Sequence, residues 1–253
     1  MDLRWYVANW KMYLSSIEEE AFVSENRQDL IRLADEKNIV LCPSYLGIGL
    51  IRGKGEKNIS LGAQDCSEED KGAHTGQISA ESLSDIAVDF VIVGHSERRQ
   101  KYFETDEIIS KKIAAAWKAE LTPILCVGES KEQFDKQESF SYVTEQLTVL
   151  DLALTMMQEE KRYPCFVAYE PLFSIGTGVV APHDHIKLML ALIDEKTPHS
   201  SMAKGLSCSI TKLYGGSVNA SNSGKLKKIP GVEGFLIGKS SINFAEFKKI
   251  IDT

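Results

Sequence analysis

The stretch CFVAYEPLFSIGTG, residues 165–178, joins a short apolar run to a carboxylate and then to a glycine-rich loop. Pro171 biases Glu170 away from the α region of backbone conformation, so we expect Glu170 at an extended strand end. The loop beyond it offers backbone N–H groups and carries few bulky side chains. A base beside a loop suited to anions suggests proton abstraction from a small phosphorylated substrate.

Four further motifs accompany this stretch along the chain. They read NWK at 9–11, GHSERR at 94–99, YGGSV at 214–218 and GFLIGK at 234–239. In this order, and together with residues 168–178, they resemble the triosephosphate isomerase family. The motifs extend from residue 9 to residue 239, so the resemblance covers nearly the whole chain.

Short apolar runs recur at intervals that predict a strand–helix repeat. Most runs are continuous rather than alternating, as in strands buried on both faces. Periodicity alone leaves a doubly wound open sheet possible, but the resemblance implies an α/β fold with a closed, parallel (β/α)8 TIM barrel, residues 1–253 forming a single domain. We place the eight strands at Trp5–Asn9, Ile39–Cys42, Ile59–Ala63, Phe90–Gly94, Pro123–Val127, Cys165–Tyr169, Ser209–Leu213 and Phe235–Gly238.

Several helices are also predicted. Ser16 with Glu19 fits a capping box at the start of the first helix. Apolar residues at near-helical spacing predict further helices over 106–119, 184–193 and 244–251.

The bulk composition excludes several classes of partner. The 253 residues include 29 basic and 36 acidic side chains, for a formal net charge of −7. General nucleic-acid affinity needs a basic face, and anionic membrane surfaces likewise attract basic segments. No run approaches the ~18 apolar residues of a membrane span. We therefore expect neither nucleic acid nor a membrane as a partner.

The cysteine pattern predicts a reducing location. The five cysteines are odd in number and form no Cys-x-x-Cys pair. Cys42, Cys126 and Cys165 lie within apolar runs, where cysteine behaves as a small buried hydrophobe. The chain reaches Lys11 without a long apolar segment, so no secretory signal is visible. These observations favour the cytoplasm.

The resemblance implies an isomerase of glycolysis and gluconeogenesis that needs no cofactor or metal. It would interconvert dihydroxyacetone phosphate and D-glyceraldehyde 3-phosphate through an enediol(ate). Glu170 would be the general base, because its two oxygens can serve adjacent carbons. His95 would be a neutral electrophile at the start of a short helical turn, a role for which this family is a well-known example. Lys11 would stabilise the enediolate.

The resemblance also assigns supporting and binding roles. Asn9 and Lys11 would hold the substrate oxygens, with Glu97 behind Lys11 and His95. The substrate phosphate would be bound mostly by backbone N–H groups. The loop over residues 171–181 would close as a lid that excludes water. The residues that match the family's phosphate donors are Gly176, Ser217 and Gly238.

Each of these residues has a less specific interpretation. A lone glutamate or lysine is usually solvated, and a lone histidine often completes a structural hydrogen-bond network. The combination of motifs favours catalysis instead. His183 and His185 form a His-x-His pair that could suggest a metal site. Residues two apart do not share a helix face, so we favour capping and solvent exposure for this pair.

The chain departs from the family pattern at three places. Lys239 replaces the second of two glycines, which adds a charge near the phosphate and leaves a tetrulose-phosphate (erythrulose phosphate) isomerase as an alternative. Leu172, Phe173 and Ser174 replace the usual Val-Trp-Ala of the lid. Gln77 replaces a glutamate in the loop over 72–77, which resembles the family's dimer loop.

A homodimer is still expected, with Thr75 reaching the neighbouring subunit's site. A non-catalytic, phosphate-binding barrel is the remaining alternative. Such a protein could lose Glu170, His95 or Lys11, but all three are present.

Overall fold

Eight parallel strands close into a barrel in the computed structural model, which describes residues 4–54, 59–158, 162–197 and 207–253. Each strand pairs with its neighbours along the chain, and Trp5 of the first strand pairs with both Asn38 and Gly234, which closes the sheet. The strands are β1 Trp5–Asn9, β2 Asn38–Cys42, β3 Ser60–Ala63, β4 Phe90–Val93, β5 Thr122–Val127, β6 Arg162–Tyr169, β7 Ser207–Tyr214 and β8 Gly234–Ile237.

Helices connect successive strands and cover the outside of the barrel. None of those in the described ranges is long and apolar enough to span a membrane. The helices are α1 Ser16–Glu25, α2 Arg27–Glu36, α3 Tyr45–Gly53, α4 Ala80–Asp85, α5 Ser96–Lys101, α6 Asp106–Lys118, α7 Lys131–Asp135, α8 Ser139–Thr155, α9 His183–Lys196, α10 Ser223–Leu226 and α11 Phe244–Asp252.

The predicted closed barrel and its eight strands are confirmed. The first strand has the predicted bounds, and the others differ by at most three residues at either end. The largest difference is at β6, which begins at Arg162 rather than Cys165 because Tyr163 and Pro164 also align with β7.

A small apolar cluster fills the barrel interior. Phe166 lies at its centre, with ring centroids 4.7 Å from Trp5 and 5.3 Å from Phe90 in edge-to-face geometry. Alternate residues of β1 divide between two cores, because Val7 belongs to this cluster while Tyr6 and Ala8 pack under the helices. The interior is therefore packed, and a ligand has room only at the mouths.

All five cysteines are buried free thiols. Burial raises the pKa of Cys42 and Cys165 well above the ordinary value of a thiol, so both stay protonated at neutral pH. The predicted role as small buried hydrophobes is confirmed for the three cysteines of the apolar runs.

The first helix is capped one residue earlier than the sequence predicts. The predicted capping box of Ser16 and Glu19 is wrong: Ser15 is the N-cap residue, and its hydroxyl accepts from the Glu18 N–H at 3.3 Å. The Glu18 carboxylate accepts in return from the Ser15 N–H at 2.7 Å. The segment SSIEEE allows both registers, because Ser-x-x-Glu occurs twice in it.

Glu19 has a tertiary role instead. Its buried carboxylate accepts from the N–H and hydroxyl of Ser44 at 2.7 and 2.6 Å. Burial raises the pKa of Glu19, although these hydrogen bonds oppose the shift. A Cβ on Gly47 would lie 1.9 Å from the carboxylate, so the glycine leaves the space that Glu19 fills. Glu19 therefore ties α1 to α3.

Candidate active site

The carboxyl ends of the strands form one mouth of the barrel, and the predicted site residues lie there. Asn9 is the last residue of β1, His95 comes two residues after β4, and Glu170 directly follows β6. A cavity of about 640 Å³ opens at this mouth. The predicted residues among those lining it are Asn9, Lys11, Glu97, Glu170, Gly176, Ser217, Gly238 and Lys239.

Glu170 lines this cavity, whereas His95 is not among the described residues that line it and lies against Glu170. Glu170 is 4% exposed, and its Oε2 lies 3.6 Å from the Nε2 of His95. Neither atom has a hydrogen-bond partner within the described part of the chain. Buried polar atoms without partners cost free energy, so this pair indicates groups that a ligand would satisfy.

The backbone around Glu170 fixes its carboxylate. The Glu170 N–H donates to the Val127 carbonyl at 2.8 Å, which extends the β5–β6 pairing by one residue. A Cβ on Gly128 would lie 2.0 Å from the Glu170 carbonyl oxygen, and a Cβ on Gly215 would lie 2.5 Å from the Glu170 Cγ. Both glycines are therefore needed for the close packing around Glu170.

His95 is the N-cap residue of α5, so the predicted helical turn after it is present. Its Nδ1 accepts from the Glu97 N–H at 3.2 Å. A ring nitrogen that accepts carries no proton, so a neutral His95 has its proton on Nε2, the nitrogen that faces Glu170. The ring can therefore donate a hydrogen bond to a carbonyl oxygen beside Glu170.

Lys11 is held by contacts at both ends of the residue. Its backbone is in the left-handed region, with φ of 51°, and its N–H donates to the Asn9 Oδ1 at 3.1 Å. The carbonyl of Lys11 accepts from the Gln64 side chain at 2.7 Å. The ammonium donates to the Glu97 Oε1 at 2.9 Å.

Glu97 is consequently a stable anion. Burial alone would raise the pKa of Glu97, but the hydrogen bond and charge of Lys11, together with the nearby His95 and Lys101, lower it overall. The supporting position predicted for Glu97 therefore matches its contacts, because it touches both Lys11 and His95.

The glycine-rich loop reaches the same cavity. Gly176 and Gly178 adopt positive φ values of 69° and 79°, which the absence of a Cβ permits. The Ser217 hydroxyl donates to the Ser174 carbonyl at 2.7 Å and accepts from the Gly178 N–H at 3.1 Å. Ser217 thus connects the loop after β6 to the loop after β7.

Lys239 begins a 3₁₀ turn that Gly238 separates from the end of β8. It lines the cavity beside Gly238, and a Cβ on Gly238 would lie 3.7 Å from the Lys11 Cε. Two lysines therefore border this side of the cavity, although the chain as a whole is acidic.

Sequence reasoning missed Glu129, which is fully buried under the loop over 171–181. Its Oε1 accepts from the Tyr169 hydroxyl at 2.9 Å and from the His185 Nε2 at 2.8 Å. Glu129 comes two residues after β5, so the strand-end position that indicated Glu170 could also have indicated Glu129.

The expectation for His183 and His185 is wrong in part. His183 is exposed, but the side chain of His185 is only 15% exposed because it pairs with Glu129. The N-cap residue of α9 is Pro182, without a side-chain cap. Among the described residues, no group of three His, Cys, Asp or Glu side chains could hold a metal ion.

The loop with Thr75 and Gln77 is exposed in the single chain. Thr75 does not line the cavity formed by the described residues of its own chain.

Comparisons with known proteins agree with this geometry. The sequence model of the family described as Triosephosphate isomerase matches residues 4–253. The triosephosphate isomerase of Trichodesmium erythraeum strain IMS101 is 36% identical over 245 residues, which cover 96% of each chain. That of Acetivibrio thermocellus is 36% identical over 242 residues, 96% of this chain and 94% of the relative.

The chain belongs to the triosephosphate isomerase family. A crystal structure of triosephosphate isomerase from Bartonella henselae has a TM-score of 0.81 and 30% sequence identity to this chain. The alignment covers 99% of this chain and 98% of that one. The alignments with triosephosphate isomerase relatives thus extend over nearly the whole barrel.

Proposed function

We propose that this protein is a triosephosphate isomerase that interconverts dihydroxyacetone phosphate and D-glyceraldehyde 3-phosphate. The observation that carries the proposal is the pair formed by the Glu170 Oε2 and the His95 Nε2. The two atoms are buried, 3.6 Å apart, and without partners in the described part of the chain. A planar hydroxycarbonyl group lying beside the pair would contact both, with its carbonyl oxygen at the His95 Nε2 and its reacting C–H bond at the Glu170 Oε2.

Glu170 acts as the base in this proposal. Its carboxylate takes the proton from the carbon next to the carbonyl, and the electrons of that C–H bond form the C=C bond of the enediolate. The carbonyl electrons move to oxygen, where the N–H of His95 and the charge of Lys11 stabilise them. The hydroxyl proton on the first carbon then passes to the negatively charged oxygen on the second. The Glu170 carboxylic acid returns its proton to the second carbon, the C=C electrons form the new C–H bond, and the first carbon becomes the new carbonyl, which completes the isomerisation.

The phosphate is bound by the loops after β6, β7 and β8. Gly176, Ser217 and Gly238 supply backbone N–H groups, and Lys239 adds a charge at the same wall of the cavity. When the loop over 171–181 closes, it excludes water from the site. The contacts to the phosphate then lower the free energy of the transition state and do not only strengthen substrate binding.

A coupled assay on Glu170→Asp tests the base. Shortening the side chain by one methylene withdraws the carboxylate by about 1 Å, which we expect to lower kcat about 100-fold while the affinity for inorganic phosphate changes little. Glu145→Asp, on the exposed face of α8, is the matched control. Unchanged turnover in Glu170→Asp would remove the base assignment.

Complete inactivity of the folded wild type on every phosphorylated ketose tested would favour a non-catalytic barrel.

A tetrulose-phosphate isomerase with the same mechanism is the second candidate. Lys239 favours it, because this cation lines the cavity at a position where the family usually has glycine. Measuring kcat/KM for a triose phosphate and a tetrulose phosphate on one preparation separates the two activities. A higher value for the tetrulose phosphate would reassign the substrate.

We also infer a cytoplasmic homodimer in which each chain is a single domain. Buried free thiols suit a reducing compartment, and β1 pairs with both β2 and β8, so the sheet has no natural point of division. Large exposed apolar side chains in the segment after β1, at the start of α1 and after α5 support association. Met12, Ile17 and Phe103 are 95%, 74% and 79% exposed in the single chain. In a dimer, the exposed Thr75 could reach the neighbouring site.

A further inference from the structure

One buried residue, Glu129, contacts the chain at both ends of the lid. Glu129 is fully buried, and its backbone carbonyl accepts from the Leu172 N–H at 2.9 Å, in the first turn of the lid. Its Oε1 accepts from the hydroxyl of Tyr169, the residue before Glu170, at 2.9 Å. The same oxygen accepts from His185 at 2.8 Å, in the first turn of α9 just beyond the lid.

The protons in this arrangement are determined by the partners. Burial, followed by the nearby Glu129 carboxylate, raises the pKa of Tyr169, so its hydroxyl stays protonated and donates. The hydrogen bond between the Glu129 Oε1 and the His185 Nε2 needs one proton, and an ionised Glu129 can only accept it from this nitrogen. Both the neutral and the cationic imidazole can donate through this nitrogen.

An aromatic contact connects His185 to the lid by a second route. The His185 ring stands edge-on to Phe134, with centroids 4.8 Å apart and an interplanar angle of 89°. Phe134 also packs on the lid residue Phe173 at 5.0 Å. A movement of His185 would therefore disturb the packing of the first lid turn as well as the Glu129 carboxylate.

We propose that His185 is a positioning residue for the lid, and that its hydrogen bond to Glu129 sets the geometry of both lid hinges. The proposal rests on the proposed isomerase activity and extends it to a residue outside the cavity. Without His185, Glu129 would keep its hydrogen bonds to Tyr169 and Leu172. It would lose its hydrogen bond to the start of α9. The lid would then close on the bound phosphate less firmly.

A looser lid has a chemical consequence that can be measured. While the lid is closed, the enediolate is reprotonated on carbon by Glu170. When it opens early, the enediolate electrons expel the phosphate: the C–O bond breaks, inorganic phosphate leaves, and the resulting enol becomes 2-oxopropanal. The ratio of phosphate released to isomerisation turnovers therefore reports lid closure, whereas a loss of folded protein does not change it.

The test compares His185→Phe, His185→Asn and His185→Gln with the wild type. Phenylalanine keeps the ring on Phe134 but has no donor. Asparagine and glutamine both carry an amide N–H, and only glutamine is long enough to reach Glu129. We expect the elimination ratio to rise about tenfold in the Phe and Asn variants, the effect of losing one hydrogen bond to a charged group. Glutamine should restore it to near the wild-type value.

His183→Phe is the matched control, because His183 is exposed two residues earlier in the same helical turn. It should leave the ratio and kcat unchanged. An active wild type with equal ratios in the Asn and Gln variants would overturn the positioning role while leaving the isomerase proposal intact. An inactive, folded wild type would instead overturn the isomerase proposal, and this inference with it.

Discussion

Two glycines determine where the carboxylate of Glu170, the proposed base, can lie. Gly128 and Gly215 pack against Glu170 from the loops after β5 and β7 so closely that neither position has room for a Cβ. The Gly215 N–H donates to the Tyr169 carbonyl at 2.9 Å, so this loop cannot simply move away. The orientation of Glu170 is thus imposed by backbone packing.

Replacing Gly215 by alanine should therefore impair catalysis more than stability. The new methyl group would lie 2.5 Å from the Glu170 Cγ and would displace the carboxylate. We expect kcat to fall about tenfold to 100-fold, as for other displacements of a reacting group by about 1 Å. Gly49→Ala is the control, because a Cβ there meets no atom within 4 Å. Both kcat and thermal unfolding are measured for the two variants. An unchanged kcat in Gly215→Ala would contradict this account.

The family motifs single out Glu170, His95 and Lys11. Each of them also follows an apolar run, and because parallel strands bring their carboxyl ends together, the sequence predicts that the three lie at one mouth. It could not indicate the bond between His185 and Glu129. Nothing local marks that pair: the two residues are far apart in sequence, and their contact depends on how α9 packs against the loop after β5. Pairing of this kind is a property of the assembled barrel.

At the scale of elements, strands were easier to predict than helix ends. Continuous apolar runs mark strands buried on both faces, and all eight were found. The start of α1 is ambiguous in the sequence, because two serines and three glutamates offer two capping registers. Burial of Glu19 against Ser44 selects between them, and that contact is invisible in the local sequence.

Two alanine substitutions distinguish these capping registers. Ser15→Ala should lower the free energy of unfolding by about 1 kcal/mol, as for loss of an N-cap side chain, whereas Ser16→Ala should have little effect. The Ser15 backbone and hydroxyl hydrogen bonds lower the pKa of Glu18. These bonds therefore add to the free energy of unfolding above the unfolded pKa of a glutamate, about 4.3, and the addition is lost as pH falls through the lower folded pKa. Ser15→Ala removes only the part that comes from the hydroxyl, because alanine keeps the backbone N–H.

Urea unfolding of both variants and the wild type at pH 7 and near pH 3 measures these differences. The stability difference between wild type and Ser15→Ala should shrink at the acidic pH. A larger loss in Ser16→Ala than in Ser15→Ala at pH 7 would show that the capping box begins one residue later.

At the scale of the whole molecule, closure of the barrel brings the two ends of the chain into one site. Because β1 pairs with β8, Lys11 lies beside Gly238 and Lys239 at the mouth. A chain with a net charge of −7 thereby concentrates positive charge where a phosphate dianion would bind. Such local focusing is what an acidic protein needs to attract an anionic substrate.

Association of two chains should support this mouth from outside. Met12 directly follows Lys11 and is 95% exposed in the single chain, so burial in a dimer would fix the segment that carries the ammonium of our proposed mechanism. We expect sedimentation to give twice the chain mass of 28.1 kDa. Met12→Glu should weaken association about 100-fold or more, since an unpaired buried charge costs about 3 kcal/mol or more.

At low protein concentration, Met12→Glu should therefore sediment as single chains. Its isomerase activity should fall together with the dimeric fraction. Leu152→Glu is the matched control, because Leu152 is 45% exposed on α8, away from the mouth. That variant should keep both the mass and the activity of the wild type. The contrary result would be a wild type that sediments as single chains at every concentration and still isomerises at full rate. Activity would then not depend on association, and Met12 would not have this role.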